Sequence, residues 1–129
     1  MRVFFHRLRG VKIGRGVEIG YFVVIDHLFP DWIEINDRTV IGLGTKIIAH
    51  DDLKDRRVRA TKRKPRRVII GRDVIIGFDA IVLPGVIIGN GAIVGAKSLI
   101  NKSIPADRVI AGIPARILQY NKKRVAKNI

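Results

Sequence analysis

The chain has 129 residues, no cysteine and a formal net charge of +14, with 47% apolar residues but only 6% aromatic ones. That length sets one domain with an aliphatic core, and the missing cysteine excludes disulfides, thiolate metal sites and a cysteine nucleophile. No apolar run approaches the roughly 18 residues of a membrane span, and no signal-peptide pattern opens the chain. A cytoplasmic protein without a membrane partner is expected, its surplus charge drawn to something anionic.

Residues 1–10 carry no repeat and are expected to form a lead-in segment that caps the repeats; His6, beside Phe4, Phe5 and Arg7, has no motif around it. A six-residue beat begins at Ile13, Ile19 and Ile25, with Gly14 and Gly20 after the lead aliphatic and Val17 and Val23 at a small or β-branched position. His27 to Trp32 interrupts it, and it resumes at Ile35, Ile41 and Ile47 with Thr39 and Thr45 at the small position. A larger break, the inserted loop 51–67, holds Lys54, Arg56, Arg57, Arg59, Lys62, Arg63, Lys64, Arg66 and Arg67 against three Asp. Then Ile70, Ile76, Val82, Ile88, Val94 and Ile100 lead six sixes in a row.

A period of six fits neither a helix at 3.6 nor a strand at 2. With Gly at a fixed phase it predicts a β-helix, each six being one short strand and one corner. The lead aliphatic points inward, the small residue fills the corner, and Gly is expected to permit the bend. Twelve sixes, three per turn, make about four coils, with repeats near 11–50 and 68–101 in one domain, 1–129. Beyond Ile100 the beat stops, and the tail 102–129 is expected to form a short helix from Pro114, which suits a first helical turn.

The sixes, the loop holding His50 and the run "VGAKSLINKSIPADRVIAGIPAR" resemble the hexapeptide-repeat acyltransferases, in the branch of maltose, galactoside and serine O-acetyltransferases. The resemblance implies a left-handed parallel β-helix, a homotrimer and acetyl-CoA as co-substrate. It also implies that His50, in "KIIAHDD", is the catalytic base, and that Asp26, in "VVIDHLFPDW", lies near the acceptor. His27 has no role in that motif. Trp32 is expected either to wall the acceptor pocket or to pack under the inserted loop. For the donor, Gly95 and Ala96 match backbone that approaches the pantetheine arm, Lys102 and Arg116 match cations near the phosphates, and Gly112 and Pro114 shape the loop between. The chain departs from the family at Gly20, Tyr21 and Phe22, where Asn is usual, at Ile75 and Phe78, and at Gln119.

The implied reaction is direct acetyl transfer to a hydroxyl or amine of a small acceptor, with an imidazole taking the proton. Two other readings remain. A polyanion-binding β-helix would use the surplus charge on nucleic acid, but the basic loop has no aromatic residue for base stacking. A zinc lyase of the γ-carbonic-anhydrase type needs three clustered His ligands, whereas His6, His27 and His50 are far apart in sequence and no metal is expected.

Overall fold

The computed structural model of the chain describes residues 1–51 and 65–118. Helix α1 (Arg2–Leu8) precedes twelve short strands that wind as four coils. The first coil is β1 (Lys12–Ile13), β2 (Glu18–Ile19) and β3 (Val24–Ile25); the second is β4 (Ile33–Ile35), β5 (Val40–Ile41) and β6 (Lys46–Ile47). The third is β7 (Val68–Ile70), β8 (Ile75–Ile76) and β9 (Ile81–Val82); the fourth is β10 (Ile87–Ile88), β11 (Ile93–Val94) and β12 (Leu99–Ile100). Equivalent strands pair in parallel to give three faces: β1-β4-β7-β10, β2-β5-β8-β11 and β3-β6-β9-β12. The register is strict, Ile13 beside Ile35 and Ile47 beside Val82, so the lead aliphatics form three inward columns that are almost wholly buried. Burying such columns coil by coil stabilises each turn only through its neighbours.

The corners work differently from the sequence reading. All nine regular corners place positive φ three residues after the lead aliphatic, and only four of those residues are Gly (Gly16, Gly44, Gly85, Gly91); the others are Phe22, Arg38, Asp73, Asp79 and Lys97. The glycine directly after the lead residue serves close approach instead. A Cβ on Gly77 would lie 2.6 Å from the Ala96 nitrogen, and one on Gly20 would lie 2.7 Å from the Leu43 nitrogen. A side chain there would hold successive coils apart. Two buried hydroxyls tie the second coil to the third: Thr39 donates to the Gly71 carbonyl at 2.6 Å and Thr45 to that of Gly77 at 3.0 Å.

The stacking also continues past Ile100. Ile104 bridges to Ile88, and β13 (Val109–Gly112) lays buried Ile110 on Val94 in the second face. The chain then reverses at Ile113 and Pro114, and β14 (Ala115–Ile117) pairs antiparallel with β13. The helix expected from Pro114 therefore does not begin there; the rest of that segment, from Gln119, lies outside the described residues. Pairing with a ready sheet edge overrides local helix propensity.

At the other end, the N–H groups along the strands donate forward to the next coil, as in Gly14 to Ile35 and Gly20 to Ile41. The first coil's carbonyls thus have no preceding coil, and arginines of the N-terminal segment meet them. Arg7 donates to the carbonyls of Ile13 and Gly14, Arg2 to that of Ile19, and Arg9 to those of Ile25 and Asp26, at 2.7–3.1 Å. One arginine serves each face, which closes an edge that otherwise invites another strand. Exchanging all three for alanine is expected to cost about 1 kcal/mol per arginine, read from urea unfolding midpoints; an unchanged midpoint would show the bonds to be incidental.

Candidate active site

The third face ends, on its first two coils, at Asp26 and at Ile48-Ala49-His50, and the Asp26 N–H donates to the Ile47 carbonyl at 2.9 Å. This register sets the Asp26 carboxylate under the loop that carries His50. Oδ1 accepts from the N–H groups of Leu28 (2.9 Å) and Phe29 (3.0 Å). Oδ2 accepts from the N–H of Ala49 (2.7 Å) and from Nδ1 of His50 (2.5 Å). The Asp26 side chain has no exposed surface and that of His50 has 10%.

Burial alone would raise the Asp26 pKa, but the hydrogen bonds from Phe29, Ala49, His50 and Leu28 together outweigh it and hold the carboxyl below its usual value. Asp26 is therefore an anion, so the His50 nitrogen facing it carries the proton. In the neutral ring that makes Nε2 the basic nitrogen. The T-shaped rings of His27 and Phe29, with centroids 5.7 and 5.6 Å from that of His50, fix the imidazole plane. Because the folded pKa of Asp26 is depressed, its contribution is complete above the unfolded value of about 3.9 and is lost as pH falls through the folded one. Thermal midpoints measured on acidification should drop below roughly pH 4, and less steeply in Asp26→Asn.

His50 opens on a groove of about 690 Å³ along the outside of the third face. Val24, Leu83 and Pro84 give it apolar walls, Lys46 and Arg66 bring cations, and Asn101 closes one side. The Arg66 N–H donates to the Ala49 carbonyl at 2.7 Å, so the inserted loop returns beside His50. Arg66 and Arg67 are the described cations of that loop; Lys54, Arg56, Arg57, Arg59, Lys62, Arg63 and Lys64 lie outside the described residues.

The other expected site residues divide. Asp26, expected to lie near the acceptor, lines the groove and turns its carboxylate onto His50 and three backbone N–H groups. Trp32 does not line the groove; it packs against the core in a short 3-10 turn (Pro30–Trp32), with the Arg67 guanidinium 5.3 Å from its ring centroid. Gly95 and Ala96 sit at the corner between the second and third faces. There the β13–β14 reversal brings up Gly112 and Pro114, and the Gly112 N–H donates to Ser98 Oγ at 3.2 Å. Arg116 is exposed on β14, whereas Lys102 is exposed at the far end of the third face, next to Asn101 of the groove. The sequence reading gave no role to His27, Phe29 or Lys46. For Lys46 a signal existed, because the residue before each lead aliphatic must point outward on its strand. Among the described residues, no group of three or more His, Cys, Asp or Glu is arranged to hold a metal.

The chain is thus a three-faced β-helix with a carboxylate-held histidine at a groove. Residues 67–102 match the family described as bacterial transferase hexapeptide (six repeats). The curated relative "Putative acetyltransferase YvoF" of Bacillus subtilis (strain 168) is 34% identical over 119 residues, 92% of this chain and 65% of its own length. The hexapeptide-repeat acetyltransferase VCA0836 of Vibrio cholerae O1 biovar eltor, solved with acetyl coenzyme A, aligns with a TM-score of 0.77. It is 33% identical, over 86% of this chain and 60% of its own. Soybean serine acetyltransferase, solved with serine, aligns at 0.67 with 25% identity over 84% of this chain and 40% of its own. The chain thus spans less than two thirds of the length of each. Residues 67–102 carry the transferase hexapeptide repeat, and the fold is the left-handed parallel β-helix of these relatives.

Proposed function

We propose that this protein is an acetyl-CoA-dependent acetyltransferase in which His50 is the general base. The observation that carries the reading is the His50–Asp26 pair, 2.5 Å apart at the mouth of the groove. In the proposed step, the acceptor hydroxyl or amine gives its proton to His50 Nε2 as its oxygen or nitrogen attacks the thioester carbonyl. The carbon–sulfur bond then breaks, and the proton passes to the departing thiolate. Asp26 holds the ring and balances the imidazolium charge while it lasts. The chain has no cysteine to form a thioester of its own, which favours direct transfer.

The corner at Gly95, Ala96 and Gly112 would receive the pantetheine arm, and Arg116 and Lys102 the phosphates. On one chain that corner and His50 lie at opposite ends of the third face. This supports a homotrimer in which one subunit's corner faces another's groove. Calorimetry with acetyl-CoA tests the donor: micromolar binding is expected, weakened more than about tenfold, or 1.4 kcal/mol, by Lys102→Ala with Arg116→Ala. No binding by the wild-type protein would exclude acetyl-CoA as donor.

A further inference from the structure

Helix α1 is mounted with its apolar side outward. Met1, Phe4, Phe5 and Leu8, spaced i, i+3, i+4, i+7, are 94%, 57%, 55% and 68% exposed, while Val3 and the arginine bonds face the first coil. A helix on a globular surface ordinarily buries such a stripe. Here the inward side is committed to the open carbonyls of the first coil, and Phe4 and Phe5 meet edge to face with centroids 5.7 Å apart. Arg2, 4.1 Å above the Tyr21 ring, closes one side of the stripe. Around it, residues 1–16 contain five cations, Arg2, Arg7, Arg9, Lys12 and Arg15, and no acid.

We propose that α1 and the adjoining start of the first coil dock on an anionic lipid bilayer, the stripe entering the headgroup boundary and exposed Lys12 and Arg15 meeting lipid phosphates. Apolar side chains ringed by Lys and Arg are what such an interface selects, and no membrane span is required. A nucleic acid backbone would take the cations and leave Phe4, Phe5 and Leu8 in water.

The test is co-sedimentation of the whole chain with vesicles of phosphatidylcholine alone or mixed with phosphatidylglycerol. Binding is expected only to the anionic vesicles and should weaken as salt rises. Phe4→Ser with Phe5→Ser should reduce it roughly tenfold or more, as should Lys12→Glu with Arg15→Glu, with thermal unfolding unchanged because all four side chains are exposed. Three results overturn the proposal: no binding to anionic vesicles, undiminished binding by the Phe4/Phe5 variant, or a smaller particle mass for that variant by light scattering. The last would make the stripe a contact between copies. Leu8→Ser serves the same comparisons should the double variant fold poorly.

Discussion

His50→Ala is expected to lower kcat for acetyl transfer by about 10²- to 10⁴-fold, the usual worth of a positioned general base. Acetyl-CoA affinity should change little, because the donor contacts proposed at Gly95, Ala96, Gly112, Lys102 and Arg116 do not include the imidazole, whose proposed role is to take the acceptor's proton. The histidine sits at the start of a loop, and its ring is one of four donors to Asp26, so removing it leaves the carboxylate with three N–H partners. The fold should therefore survive, and a steady-state assay of thiol release reads the chemistry. A variant within a few-fold of wild type would remove His50 from the reaction.

Asp26→Asn is expected to affect both activity and stability, and the two can be separated. The four donors converge on two oxygens, and asparagine offers only one. Whichever way the amide turns, its NH₂ group faces two donors in a site with no exposed side-chain surface. Leaving buried donors unpaired costs about 1–3 kcal/mol each, so a loss of about 2–4 kcal/mol in urea unfolding is expected. In the orientation that places NH₂ against His50, the ring must present an unprotonated Nδ1, and its proton moves to Nε2, where the base should be. A kcat loss on the order of 10²- to 10⁴-fold is the expected result, measured at a temperature where the variant is folded and with acetyl-CoA affinity retained. Full kcat under those conditions would confine Asp26 to stability.

Much of the scaffold was legible because its physics is periodic. Ile70 to Ile100 must each point inward once per strand, and that requirement repeats every six residues whatever surrounds it. The breaks at 27–32 and 51–67 were legible for the same reason, as departures from the beat. The corners were less so. Positive φ falls on Phe22, Asp73 and Lys97 as readily as on Gly, so the residue type there does not declare the turn. The visible glycines, such as Gly77, answer instead to a neighbour on the next coil, 19 residues away at Ala96.

The motifs singled out His50 and Asp26, but not the hydrogen bond between them. A carboxylate 24 residues before a histidine says nothing of which side it turns. The β3–β6 register brings Ala49 N–H and His50 Nδ1 onto the same oxygen, and that register exists only once the coils stack. The tail shows the same division: "PARIL" suits a helix locally, yet Ala115–Ile117 takes the open edge of β13. The sequence by itself determined the repeat, the number of coils and the inward columns, because these depend on residue type at a fixed spacing. The tertiary structure alone decided the arginine cap, the Asp26–His50 pair and the outward stripe of α1. Each of these depends on which backbone groups or faces remain unmatched after the coils have packed, and no local pattern encodes that remainder.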